Sequence, residues 1–279
     1  MIENIMTFDV EEWFDAQQRR AGSGKFCRES RVRIGVDKIL SALHKGGVKA
    51  TFFVLGSVAE KDPQVIKDIS ADGHEIATHG YTHRSISEQT PVEFENDLLR
   101  SIDALKGVTG KQVSGFRAPG YSITTRTLWA LDIIEKAGLK YDSSIYPVSI
   151  RLFTKGGASG YQQHPFYIKK NLVEFPLVTL DVFGIKIPAA TTAYFRIYPY
   201  SISGIAINRL NNIGIPATVN FHSWEFDEFH PRLPLPFPYN IKHYYNLEKI
   251  RDRFNRLITE FKFGGCMDQL ALAIPWAIK

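Results

Sequence analysis

Residues 50–79 read ATFFVLGSVAEKDPQVIKDISADGHEIATH, and this stretch decides the fold class. Ala50-Thr51-Phe52-Phe53-Val54 is a short aromatic and β-branched run of the kind that forms a buried strand. Asp62-Pro63 then places an N-cap beside a proline at the first helical position, where the missing N–H costs nothing. Glu75-Ile76-Ala77-Thr78 is a second strand, and it leads straight into His79. Strand, helix and strand in succession is the pattern of a crossover, and crossovers join parallel strands.

The same rhythm extends in both directions. Upstream, Ile5-Met6-Thr7-Phe8 is a strand whose exit carries Asp9, Glu11 and Glu12. The helix from Arg31 to Leu43 has Val32, Val36, Ile39, Leu40 and Leu43 at helical spacing and stops at Gly46-Gly47. Downstream, Thr90-Pro91-Val92-Glu93 is a capping-box start for a helix running to about Leu105. A strand at Val113–Phe116, a helix over Thr125–Ala137, a strand near Leu139–Tyr141, a helix over Ile202–Asn212 and a strand at Ala217–Phe221 continue the alternation.

Two segments interrupt it. Ile150 to Pro188 reads as irregular chain plus a strand pair (Leu172–Leu180 and Val182–Ile187), and PRLPLPFP at 231–238 is too proline-rich for regular structure. A last helix is expected over Tyr244–Phe261, with Leu247, Ile250, Phe254, Leu257, Ile258 and Phe261 on one face. Its opposite face carries Lys249, Arg251, Arg253 and Arg256, read as a solvated face, with peripheral contact to the inner face of an anionic membrane as the alternative.

The 279 residues are 44% hydrophobic and 23% charged, which excludes a disordered chain, and the net charge of +5 is spread along the sequence, against nucleic-acid binding. Only Cys27 and Cys266 are present, too few for a disulfide framework or a thiolate zinc ribbon. The start MIENIMTFDVEEWF has no basic and apolar leader pattern, and no window is apolar enough for a membrane span, so a cytoplasmic location is expected. GVTGKQ at 107–112 has too short a spacer for a phosphate loop.

The polar residues that stand out all sit where expected strands end. Asp9 and Glu11 share a face because side chains of an extended chain alternate. His79 and His83, spaced i, i+4 in HGYTH, can aim two imidazoles at one ion. Glu11, His79 and His83 form a carboxylate and imidazole set suited to a divalent metal, leaving Asp9 free as a base. Arg117, Asp142 and His222 follow three further strands. In a parallel α/β barrel these ends converge on one rim, where such barrels carry their active sites.

The ordered motifs TFDVEEWF, ATFFVLG, HEIATHGYTH, GFRAPGYSI, YDSSIYP and FHSWEFD resemble the polysaccharide deacetylases of carbohydrate esterase family four, the NodB-homology group. The likeness covers about Ile5 to Asp227, and the following WEFDEFHPR and HYYNLEKIRDRFNRLITEFKFG resemble a subgroup associated with bacterial exopolysaccharide and protein-sorting systems. The resemblance implies an α/β fold: a distorted, TIM-like barrel of about seven strands, with a strand-pair insertion and a C-terminal helical extension. It implies one domain over 1–279, its barrel at about 5–227 and its extension at about 228–279.

The resemblance also implies roles. Asp9 is the base and Glu11 a metal ligand with Glu12 as the lesser candidate, because the family's adjacent carboxylates are here split by Val10. His79 and His83 complete the metal set, Arg117 orients the base, and the Tyr121 N–H is an oxyanion donor. His222 is the general acid with Asp142 as its carboxylate partner. Tyr121, Trp224 and Phe226 are candidates for a sugar-stacking wall. The expected cofactor is a divalent cation, Zn2+ first and Co2+ or Ni2+ as alternatives. The expected reaction is removal of N-acetyl groups from an amino-sugar polysaccharide or lipid-linked glycan. Alternatives are a deformylase or another linear or cyclic amide hydrolase, and a non-catalytic carbohydrate-binding module. Oligomeric state is left open, a homo-oligomer included.

Overall fold

The computed structural model describes residues 2–15, 28–149 and 160–273. Its elements are Glu3–Val10 (β1), Val32–Gly46 (α1), Thr51–Val54 (β2), Gly56–Lys61 (α2), Pro63–Ala71 (α3), Glu75–Thr78 (β3), Pro91–Thr109 (α4), Gly115–Phe116 (β4), Ala130–Lys136 (α5) and Tyr141–Asp142 (β5). They continue with Phe166–Lys169 (β6), Leu172–Glu174 (β7), Thr179–Val182 (β8), Ile185–Pro188 (β9), Thr192–Ile197 (α6), Tyr200–Asn212 (α7), Thr218–His222 (β10), Tyr239–Tyr244 (α8), Ile250–Glu260 (α9), Lys262–Gly264 (β11) and Cys266–Ala273 (α10).

The sheet order is β10-β1-β2-β3-β4-β5-β7-β6, with β11 also on β1. All of these pairings are parallel except the edge pair β6 and β7. The curl is drawn toward closure by isolated parallel bridges from Leu177 to Thr218 and from Thr191 to Asn220. A NodB-type barrel with about seven parallel strands is therefore present, and the C-terminal stretch adds β11 to its first strand. No helix among the described residues is long and apolar enough to cross a membrane.

Both faces of the strands are buried, which is why they read as nearly unbroken apolar runs. Phe8, Phe52, Val54 and Phe116 face the helices, while Phe53, Ala77, Tyr141, Val173, Phe175 and Cys266 fill the barrel interior. Register carries this alternation around the barrel: Asp9 pairs with His222 and Phe53, and Thr78 with Phe116. Residues one step beyond β3 and β4, His79 and Arg117, therefore turn to the inside at the strands' C-terminal ends.

Local signals act as expected at α3 and α4. Asp62 accepts the Val65 N–H at 3.4 Å, and Thr90 with Glu93 forms a reciprocal capping box. The helix expected over Thr125–Ala137 is shorter, since Thr127 ties its hydroxyl to Ser122 O at 2.8 Å and holds the chain in a turn until Ala130. The expected strand pair is a hairpin of β8 and β9, while Leu172–Glu174 joins the main sheet. The expected helix over Tyr244–Phe261 is broken: Asn246 is left-handed at φ 54°, separating α8 from α9. Cys27 and the start of the irregular segment, 150–159, lie outside the described residues.

Candidate active site

Asp9, Glu11, His79, His83, Arg117 and His222 meet at one end of the barrel. Arg117 is fully buried and bonds in four directions from β4's exit. Its Nη1 reaches Asp9 Oδ1 at 2.9 Å, Thr7 Oγ1 at 2.8 Å and Asn220 Oδ1 at 2.6 Å; its Nε and Nη2 donate to Ser143 O at 2.9 Å and Ser143 Oγ at 2.7 Å. The guanidinium also lies 4.0 Å from the centre of the Phe53 ring. Burying a charge this deeply is tolerable only when it is paired and its donors are satisfied. The other Asp9 oxygen accepts from Asn220 Nδ2 at 2.9 Å.

Glu11 is equally buried. Its Oε1 accepts the Trp224 indole N–H at 2.9 Å. Its Oε2 lies 2.6 Å from His83 Nε2 and 3.8 Å from His79 Nε2, yet it lacks the alignment of a hydrogen bond to either. A buried carboxylate oxygen without a donor, facing two imidazole nitrogens, fits a cation. The three ligand atoms lie within 4.8 Å of one another. His79 Nδ1 is engaged by Arg117 O at 2.9 Å, which leaves Nε2 bare on the site side, the usual orientation of a metal-binding histidine. The residues present therefore fit a divalent metal.

The loop between the histidines is a turn. Gly80 sits at φ 77° and His83 at φ 54°, and Asp97 of α4 pins the loop by accepting from Tyr81 N at 2.7 Å and Thr82 Oγ1 at 2.6 Å. A left-handed histidine is uncommon and marks a backbone bent to aim its side chain. Glu12 points elsewhere, accepting Arg31 N–H at 3.1 Å. That leaves Glu11 as the carboxylate in the cluster.

His222 ends β10 with Nε2 lying 3.7 Å from Asp9 Oδ2 and 3.8 Å from Glu11 Oε1. Burial disfavours its charged form, but Glu11, Glu225 and Asp9 outweigh that and raise its pKa to about 9. For Glu11, burial also opposes ionisation, and the fields of His83, His222 and His79 overcome it and hold the carboxyl far below its usual range.

Four expectations need correction. Asp142 does not partner His222: it accepts Ser144 Oγ at 2.5 Å and pairs in register with Glu174 across β5 and β7. The carboxylate on His222 is Glu225, whose Oε2 lies 3.3 Å from Nδ1, because the 3-10 turn after β10 brings position 225 back over the ring. The Tyr121 N–H is committed to Ala118 O at 3.0 Å, so Tyr121 contributes its hydroxyl, which accepts from Asn220 Nδ2 at 2.6 Å. Trp224 is no open stacking wall: it lies between the rings of His222 (5.2 Å, 20°) and His243 (4.1 Å, 20°), and Phe226 is buried in the core against Phe8 and Phe254.

Sequence reasoning missed Asn220 and Thr7. Both were within reach of the period-two rule that found Glu11, since Thr7 shares a face with Asp9 and Asn220 with His222.

Residues 31–141 match the family model for polysaccharide deacetylase, and residues 143–271 match that of a domain of unknown function, DUF3473. The chain is 28% identical over 259 residues to the peptidoglycan deacetylase-like protein FGM2 of Gibberella zeae, covering 88% of this chain and 66% of that one. It is 30% identical over 118 residues to the peptidoglycan-N-acetylglucosamine deacetylase of Bacillus cereus, covering 38% and 43% respectively. It thus spans less than two thirds of either relative. Among solved structures it is similar to a Mycobacterium smegmatis protein provisionally named a polysaccharide deacetylase, with TM-score 0.66 and 19% identity over 98% of this chain and 90% of that one. It is also similar to a carbohydrate esterase family four pseudoenzyme of Bacillus anthracis, with TM-score 0.52 and 14% identity over 96% and 66%. The fold is shared by both, and the second shows that fold alone does not decide turnover. The polysaccharide deacetylase segment and the DUF3473 segment thus adjoin in one curled sheet whose strand ends bring the expected residues together.

Proposed function

We propose that the protein is a metal-dependent hydrolase that removes N-acetyl groups from an amino-sugar glycan. The observation that carries this reading is the placement of His222 Nε2 within 3.8 Å of both carboxylates, Asp9 and Glu11, one held by Arg117 and the other facing two histidines. A base, a metal-binding set and an acid thus converge on one site, the combination that amide hydrolysis demands.

Glu11, His79 and His83 would hold the metal, which supplies Lewis-acid polarisation of the amide carbonyl and a more acidic water. Asp9 receives the proton of the attacking water. Arg117 and Asn220 each hold one of its oxygens, so the carboxylate cannot rotate away from that water. His222, on the opposite carboxylate edge, gives a proton from Nε2 to the departing amine, with Glu225 behind Nδ1 fixing the ring. Trp224 supports both halves by bonding Glu11 and stacking on His222. The relatives named for peptidoglycan and N-acetylglucosamine support an N-acetylated glycan as substrate class.

The test is acetate release from a panel of N-acetylated glycans and lipid-linked sugars, with zinc, cobalt or nickel added and with chelator. Acetate that disappears on chelation is expected. Formate or a ring-opened amide as the product would replace the reading with a different hydrolase, and glycan binding without any release would replace it with a binding module.

A further inference from the structure

His222, Glu225 and Asn220 all belong to the 143–271 segment, whereas His79, His83 and Arg117 belong to 31–141. Glu225 is fully buried and spends both oxygens. Oε2 accepts the His222 main-chain N–H at 2.9 Å and faces Nδ1 at 3.3 Å; Oε1 accepts Arg196 Nε at 2.8 Å. Arg196, on α6 and also fully buried, donates Nη2 to Lys242 O at 2.9 Å and Nη1 to Tyr245 O. Those carbonyls close α8, and the left-handed Asn246 that follows returns its Nδ2 to Arg196 O at 3.0 Å. Arg253 of α9 clamps the C-terminal end of α6, which carries Arg196, through Phe195 O at 2.6 Å and Tyr198 O at 2.8 Å.

A buried Arg–Glu pair is an expensive way to gain stability, because desolvation cancels most of its attraction and apolar residues would serve as well. What this pair supplies is orientation. With Glu225 locked on both oxygens, Nδ1 of His222 must carry the hydrogen, and Nε2 is left facing Asp9 and Glu11. Building on the deacetylase reading above, we propose that Glu225 and Arg196 are positioning residues for His222 and that the 143–271 segment is the proton-delivering half of the site.

The two roles, positioning and mere structural support, separate by leaving group. An N-acetyl sugar releases an amine that must be protonated, whereas 4-nitrophenyl acetate releases a phenolate that needs no proton. In zinc-loaded Glu225→Gln and Arg196→Lys proteins, kcat on N-acetylated chitooligosaccharide is expected to fall at least about tenfold while the aryl acetate rate and zinc content hold within about twofold. A parallel fall on both substrates, or no fall on the amide, overturns the inference. Wild-type protein that cleaves the aryl ester and no N-acetyl glycan counts instead against the deacetylase reading. Independently of turnover, the His222 Nδ1–H proton resonance is expected at low field in the wild type and displaced in both variants; an unmoved resonance overturns the inference as well.

Discussion

Asn220 donates its side-chain amide to Asp9, Nδ2 to Oδ2 at 2.9 Å, while its carbonyl accepts from Arg117. Asp9 is thus gripped from two sides, and an amide can donate to a carboxylate and accept from a guanidinium at once. Asn220→Asp removes the donor and sets a second carboxylate against the first. Acetate release is expected to fall about a hundredfold with metal content unchanged; wild-type turnover would show that the Arg117 contact alone suffices.

Asp9→Asn leaves Glu11, His79 and His83 in place. Elemental analysis should find normal metal and the acetate assay almost none of the activity. His79→Ala and His83→Ala should each lower bound metal, and full occupancy in both would remove them from the ligand set.

Trp224→Phe keeps an aromatic ring between His222 and His243 but deletes the donor to Glu11 Oε1. Partners one step behind a ligand typically matter by about 10–100-fold in metal affinity. A competition titration with a chromogenic chelator should show weakening in that range.

The Asp142 and Glu174 carboxyls are both fully buried, and burial pushes both upward, Glu174 well above the usual carboxylate range. A carboxyl raised in the folded state binds its proton more tightly there than in the unfolded chain. Its contribution to stability is therefore complete below the ordinary carboxylate range and is lost as pH rises through the folded value. Thermal midpoints should decline from mildly acidic toward alkaline pH, and Glu174→Gln, which keeps an acceptor for the Ile145 N–H, should flatten that decline.

A methyl group added at Gly35 would lie 2.0 Å from the Ser223 carbonyl oxygen, so α1 packs directly on the turn that follows His222. Gly35→Ala must displace backbone on one side. It is expected to cost about 1–3 kcal/mol in chemical denaturation and to lower turnover more than metal binding.

The barrel and most of its rim were legible because the strands leading into the cluster are short apolar runs and each candidate residue stands just past one, whereas β6 and β11 gave no such signal. Asp9, Glu11, His79, His83, Arg117 and His222 all follow that rule, and all six meet. Asp142 follows it too and was misread: a strand end shows that a side chain reaches the rim region, not which neighbour it finds there. Glu225 escaped because its approach depends on a 3-10 turn, and Arg196 because it reaches the site through Glu225 from a helix with no motif of its own. The break at Asn246 was hidden by a good amphipathic pattern on either side. There the carbonyl of Tyr245 is needed by Arg196, and a tertiary contact outweighs helical periodicity.

Ile5 pairs with Thr218 on one side and with Gly264 on the other, two partners far along the sequence, and this bears on the order of folding. The strand bearing Asp9 and Glu11 precedes both of these neighbours by most of the sequence. The intervening crossovers can form from local contacts, but β1 stays open along one edge until β10 docks against it. A chain cut before β10 would leave that edge unpaired and the cluster without His222.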